Sequence, residues 1–382
     1  MAKYRFEQIA FNSTEKKIPN DHDRLLYIGL EHLDSGSLRV TRWGSDVPIK
    51  GEKLVMHKGD VLFGKRNAYL RRAAIAPHDG TFSAHGMVLR PNEQIVCKEF
   101  FPHFIASDYF FDEAIRISVG SLSPTVNWKD LRYCEFELPS LEEQKRLAKA
   151  LWAVNYTIET YKNLLKKTDE LVKSQFIVMF GNPLLNEMKW PVQKMKKVAP
   201  SVPYSGKVSN NGNRYWLLNL DMVESNTGRI LDKVYVSMDE IGLSTTTFSS
   251  EYVLFSKLRP YLNKVVIPDD SGYATTELIP MRPDPKYLKQ MYLAQLLRGD
   301  EFLSFISTQV SGTKMPRVTM NVFWDFEVML PPLDLQEQFV AFVRQSDKSK
   351  FALLNCSNLN LWRCSVGKRS HLILHDLRML LL

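Results

Sequence analysis

Residues 61–75 read VLFGKRNAYLRRAAI, and residues 253–267 read VLFSKLRPYLNKVVI. Val-Leu-Phe, a lysine two places on, Tyr-Leu and a later basic residue recur, with an offset of 192 residues between Lys65 and Lys257. Gly80 and Gly272 keep that offset, as do Arg90-Pro91 and Arg282-Pro283. So do Gly120-x-x-x-Pro124-x-Val126 and Gly312-x-x-x-Pro316-x-Val318, Leu138-Pro139 and Leu330-Pro331, and Gln144 and Gln336. Upstream, YIGLEHLDSG (27–36) faces LLNLDMVESNTG (217–228), with two extra residues in the second copy. Matches at one constant spacing mark an internal duplication, which organises the fold before any local reading does.

Each copy has one layout. A β-rich domain comes first, with short apolar runs at Val61–Phe63, Met87–Leu89, Tyr252–Phe255 and Lys264–Ile267 punctuated by Gly, Pro and Asn. Helical stretches are expected at Phe101–Ile117 and Tyr287–Ser307. A helix then follows each domain. In the first, Ser140 and Glu143 form a capping box, and Leu147, Leu151, Val154, Ile158, Tyr161, Leu165 and Val172 make a heptad seam. Phe176 and Met179 extend it to the stop at Gly181-Asn182-Pro183. Its 39 residues, Glu142 to Phe180, span about 58 Å. The second helix opens with Pro331-Pro332, a capping pair at Asp334 and Glu337, then Leu335, Phe339, Phe342 and Val343. Beyond Lys350 its heptad is poor, and the chain ends in LILHDLRMLLL.

An apolar seam this long needs a partner helix. The other copy's helix, packed antiparallel, is the nearest one; an ordinary dimerisation coil is the plainer alternative. The expected fold is α+β. Residues 1–138 form one domain, 139–181 the spacer helix, 182–330 the second domain and 331–382 a C-terminal helix.

Across 382 residues the formal charge is +8, with 45% hydrophobic and 24% charged residues, and the pI is about 9.1. Such a balance suits ordinary cores and favours a polyanionic partner such as nucleic acid. Lys65, Arg66, Tyr69, Arg71 and Arg72 mix charge with an aromatic ring, and Lys257, Arg259, Tyr261 and Lys264 repeat the mixture. Lys and Arg neutralise phosphates, and Arg also grips guanine with two hydrogen bonds. The loops carrying Ser121 and Ser123, and Thr313, Lys314 and Arg317, are the next candidates, since Gly with Ser or Thr lets a backbone approach phosphate closely. A solvated charged face and a structural turn are the bland readings of the same segments.

Enzyme signatures fail. Gly59 to Arg66 approaches a phosphate-binding loop, but Arg66 stands where a hydroxyl is needed, and Glu251 and Ser256 replace the glycines in the other copy. His371-x-x-x-His375 has ligand spacing without an adjacent glutamate, so no metal site is expected. Pro268-Asp269 with Glu277 approaches a metal-dependent nuclease pattern, yet Glu277-Leu278-Ile279 lacks its lysine. Neither G-x-S-x-G nor an amino-methylation motif occurs, so no catalytic residue is expected. The four cysteines, Cys97, Cys134, Cys356 and Cys364, form no C-x-x-C pair, no apolar leader opens the chain and no apolar run is long enough for a membrane span. These features point to a reducing cytoplasm and no membrane.

LPSLEEQKRLAKAL (138–151) and LPPLDLQEQFVAFV (330–343) resemble the paired helix openings of type I restriction–modification specificity subunits, and MFGNP (179–183) resembles their join into a second recognition domain. The resemblance covers the chain to about residue 352, after which the tail departs from the usual charged heptad. It implies two target-recognition domains that read the halves of a split site on double-stranded DNA. The helices would act as a ruler and as a docking surface for two methylation subunits, which use S-adenosylmethionine on adenine. Restriction subunits that use ATP and magnesium would join them. The chain itself would bind no cofactor. The alternatives are a free-standing bipartite DNA-binding regulator, a fused methyltransferase or nuclease, and a coiled-coil scaffold.

Overall fold

The computed structural model describes residues 1–357, with side chains to Lys350. The described chain divides into two compact units, Met1–Thr160 and Tyr161–Ser357. Both mix helix and sheet, so the architecture is α+β.

The repeated Val-Leu-Phe run explains how each unit is built. Successive residues of a strand point to opposite faces. Strand Val61–Phe63 sends Val61 and Phe63 into a cluster with Phe6, Phe110 and Phe136, and Leu62 into another with Ile28, Phe82 and Val88. In the second copy Val253 and Phe255 join Tyr292 and Phe323, while Leu254 joins Trp216 and Phe248. A strand buried on both faces reads as an unbroken apolar run.

In the first unit one four-stranded sheet has the order Ala10–Ser13, Met87–Pro91, Val61–Phe63, Ala73–Ile75, and a second has Lys16–Lys17, Lys53–Met56, Gly80–Phe82, Tyr27–Ile28. Strand Ala2–Arg5 closes on Glu135–Leu138 with Tyr4 opposite Phe136. The second unit has Val265–Val266, Val253–Ser256 and Leu278–Met281 as one sheet. Its larger sheet runs Asn210–Asn211, Arg214–Leu218, Gly272–Thr275, Thr245–Phe248, with Val234–Val236 added on Arg214–Leu218. Val192–Lys194 closes on Glu327–Met329, with Gln193 opposite Val328. Each unit has one parallel pair among its described strands, Tyr27 beside Thr81 and Leu217 beside Tyr273.

The two stretches expected as single helices are each broken. Phe101–Ile105 is followed by Asp108–Arg116, and Gln290–Arg298 by Asp300–Thr308. The break falls at equivalent residues, Ser107 and Gly299, each the N-cap of the second piece. The Ser107 hydroxyl accepts from the Phe110 amide at 3.2 Å. Ser and Gly are both favoured at this position, and either terminates one helix while starting another.

The central helix runs Leu141–Phe180, one residue earlier than expected. Ser140 Oγ accepts from the Glu143 amide at 3.3 Å. Glu143 itself turns to Arg146 at 2.9 Å, so only half of the anticipated capping box forms. Gly181, at φ 79°, ends the helix. Along the seam Leu147 and Val172 are buried, and Leu151, Val154, Ile158, Tyr161 and Leu165 are half-buried. The C-terminal helix runs Leu333–Ser357, and the remainder of the expected 331–382 helix lies outside the described residues. Its Glu337 pairs with Lys289 at 2.8 Å rather than capping. Within the second unit Phe339 packs edge-on to Phe176 and Phe180, at 5.5 and 5.4 Å between centroids. Lys350 reaches Asp169 at 2.6 Å. Later residues of one helix meet earlier residues of the other, so these two segments run antiparallel.

Candidate nucleic-acid interface

After the buried Val-Leu-Phe strand, each copy makes the same single turn of 3-10 helix, Ala68–Leu70 and Pro260–Leu262. The flanking residues Asn67 and Arg71, and Arg259 and Asn263, are left-handed, with φ between 48° and 56°. Asn accepts this conformation readily; Arg does so at a cost. Two such residues at matched positions in both copies mark an over-determined backbone. The turn carries Tyr69 and Tyr261 on its outer side, each 54% exposed.

The Gly-rich loops, chosen separately in the sequence, are bound directly to these turns. The Asn67 amide donates to the Pro124 carbonyl at 2.7 Å, and the Arg259 amide to Pro316 at 2.7 Å. The Val126 amide donates to the Lys65 carbonyl at 3.0 Å, and Val318 to Lys257 at 2.9 Å. Gly120 and Gly312 adopt φ 111° and 89°, where a side chain would be strained. In each domain, therefore, one cradle joins the basic segment to the loop: Lys65 and Arg66 with Ser121 and Ser123, Lys257 and Arg259 with Thr313, Lys314 and Arg317.

The side chains within the cradles differ in their commitments. Lys65 makes no ion pair among the described residues, and burial followed by the charge of Lys16 lowers its pKa. Arg66 donates to Ser123 Oγ at 3.1 Å. Arg71 is engaged by Asp108 and Asp112, the latter at 2.7 Å, and its guanidinium sits over the Phe111 ring. Lys264 donates to the Leu220 carbonyl at 2.6 Å. These two cations brace the turn. Among the described residues Arg72 and Lys257 are half-buried without an ion pair, and Arg259 buries an Nε that has no partner. Ser121, Thr313 and Lys314 lie exposed on the loops. Arg317 pairs with Glu277 at 2.9 Å.

Sequence reasoning missed His85, whose carbonyl accepts from the Arg66 amide at 3.3 Å. Burial first, then the charges of Arg66, Lys65 and Lys53, depress its pKa. Its counterpart at the 192-residue offset is Glu277, whose carbonyl accepts from the Lys257 amide at 3.0 Å. Glu277 already stands in the nuclease-like pattern, and the constant offset leads from it to His85.

The enzyme-like patterns do not assemble. Gly59–Arg66 leads from a strand into a 3-10 turn and not onto a helix N-terminus, the context a phosphate loop requires. Asp269 pairs with Lys233 at 2.7 Å and Glu277 with Arg317, so the two carboxylates serve separate cations. Among the described residues no group of three or more His, Cys, Asp or Glu could hold a metal. His371 and His375 lie outside the described residues. No described helix is long and apolar enough to cross a membrane.

Comparison with known proteins matches this architecture. The type I restriction modification DNA specificity domain fits the chain twice, over residues 15–169 and 184–361. The type I restriction enzyme EcoDI specificity subunit of Escherichia coli is 24% identical over 186 residues, 47% of this chain and 41% of that protein. The match thus spans about two-fifths of that relative's length. A type I restriction-modification system S subunit from M. genitalium shares the fold, with TM-score 0.53 over 96% of each chain at 11% identity. The twofold match covers most of the sequence and coincides with the duplicated cradles: the chain belongs to the family of type I restriction–modification specificity subunits, with two DNA specificity domains.

Proposed function

We propose that the chain reads the two halves of a bipartite DNA site, one with each domain, and carries out no bond chemistry itself. The observation that supports this reading most is the duplicated cradle, in which a basic, aromatic-bearing turn and a Gly-rich loop meet on the same backbone in both copies. Phosphates are met by cations and backbone amides, and base edges by the side chains between them. The long helix is the ruler that sets the gap, and with the C-terminal helix it forms the surface on which two methylation subunits dock. Those partners supply S-adenosylmethionine for adenine methylation; restriction subunits supply ATP- and magnesium-dependent cleavage. This chain binds none of these cofactors and works in the cytoplasm, where Cys97 and Cys134, both buried and free, stay reduced.

The test is to express the chain with the methylation subunit encoded beside it and map methyladenine across the host DNA. A split motif with an unread gap, present only when this chain is present, is the expected result. An uninterrupted motif, or methylation that does not depend on the chain, defeats the assignment. A chain that binds the split site tightly with no partner able to co-purify supports the free-standing regulator instead.

A further inference from the structure

The duplication separates scaffold from reading surface without any other sequence. Where both copies keep the same bond, the residue holds the backbone; where the side chains differ on an unchanged backbone, the position is free to read. One place in the cradle differs most. A single bridge joins the turn to the loop, Arg66 opposite Thr125 in the first domain and Leu258 opposite Arg317 in the second. Each domain thus places one guanidinium at this bridge, from opposite strands. Beside it stands His85 in the first domain and Glu277 in the second.

We propose that Arg317, braced by Glu277, is the base-reading group of the second domain and recognises a guanine; this rests on the DNA-reading assignment above. Arg317 Nε donates to the Glu277 carboxylate at 3.2 and 3.3 Å, and Nη2 donates to Oε1 at 2.9 Å. The Glu277 side chain is three-quarters covered while the Arg317 side chain is 47% exposed, so the acceptor of the pair lies inward and the arginine is the more open to solvent. The two Nη1 hydrogens and the second Nη2 hydrogen carry no bond among the described residues. They form the fork that meets guanine N7 and O6.

A phosphate-binding role fits this pair poorly. Glu277 neutralises Arg317 and repels an approaching phosphate, so the pair adds little to counterion release. For a base the same carboxylate is an advantage. It fixes the direction of the fork, and a nearby cytosine N4 amine, a donor, tolerates the negative charge that a thymine O4 does not. Arg66 differs: it is held by the neutral hydroxyl of Ser123 among other cations, which leaves its charge available for backbone contact. Two domains with one scaffold thereby read different half-sites.

The test uses the chain in complex with its methylation subunit and compares wild type, Arg317→Lys and Glu277→Gln by methyladenine mapping. Arg317→Lys keeps the charge and loses the fork. One G·C position in the second domain's half-site becomes degenerate, with discrimination there falling by roughly 5- to 150-fold, the worth of one bidentate contact. The first domain's half-site stays unchanged. Glu277→Gln weakens discrimination at the same position. It also raises the affinity of the purified complex for unrelated duplex, because a negative charge leaves the surface; a purely structural glutamate would not produce that pairing. Retention of the wild-type motif by Arg317→Lys overturns the inference, as does an equal drop in methylation at every site. If wild type itself writes no split motif, the DNA-reading assignment has failed and takes this inference with it.

Discussion

Two buried glutamines show what the sequence could and could not disclose at the level of single residues. Gln144 Oε1 accepts from the Cys97 amide at 2.7 Å, and its Nε2 donates to the Ile95 and Pro139 carbonyls. Gln336 repeats this with Lys289, Tyr287 and Pro331. The match of Gln144 to Gln336 was visible in the sequence. Its meaning was not, because the partners are backbone groups, two of the three nearly 50 residues away, and backbone groups have no letter. His103 was likewise silent. It sits against Trp152 with ring centroids 4.6 Å apart, its Nε2 is buried without a partner among the described residues, and burial pushes its pKa down to about 4. An unfolded histidine titrates near 6.5. Between those values the unfolded chain binds the extra proton, so acidification favours unfolding and the neutral-pH stability of the first domain falls as pH drops from about 6.5 to 4. The ceiling on this contribution is about 3 kcal/mol. Melting temperatures at pH 7.5 and 4.5 are the check: the gap between them should shrink in His103→Leu relative to wild type, and an unchanged gap removes His103 from the acid response.

Elements were legible in proportion to how local their causes are. The central helix announces itself because one periodicity runs through it and Gly181 stops it; its observed start at Leu141 differs by a single residue. The breaks at Ser107 and Gly299 escaped notice because one capping residue inside an apolar run looks like an ordinary helical position. The parallel pairing of Tyr27–Ile28 with Gly80–Phe82 depends on contacts distant in sequence, which no window of residues contains. The helix also holds a feature that periodicity alone does not assign. Its last two turns belong to the core of the second unit, where Phe176 stacks on Tyr292 at 5.3 Å and meets Phe180 and Phe339. Phe176→Ala should therefore destabilise the second unit by about 3–5 kcal/mol, the usual cost of removing a buried ring. The first unit should be little affected. Hydrogen exchange resolved by peptide reads the two separately: faster exchange in residues 253–256 and 290–298, with residues 61–63 and 101–105 protected as before, is the expected pattern. Equal loss in both units would mean that the helix transmits stability along its whole length.

For the molecule as a whole, the duplication was plain in the sequence and the chemistry of its two copies was not, because the offset preserves backbone roles while charged side chains change partners around them. Asp60 is buried and takes Arg90 with two bonds of 2.8 and 2.9 Å. Its counterpart is Tyr252, and Arg282 turns instead to the exposed Glu251. Lys65 and Lys257 escape this drift. Both stand at the start of the cradle turn, both offer their carbonyl to the loop, and neither has an ion pair among the described residues. If each contacts one phosphate, neutralising either should reduce the slope of log K against log salt on nonspecific duplex by about 0.9, and neutralising both by about 1.8. The two sites share no partner and lie in different compact units, so their free-energy costs should add within about 0.5 kcal/mol. The full complex with its methylation subunit is the sample, and Lys65→Gln, Lys257→Gln and the double variant are titrated over a range of salt. An unchanged slope in both single variants takes these lysines off the phosphate backbone. Normal slopes with strongly non-additive costs would instead show that one domain cannot engage DNA until the other has done so.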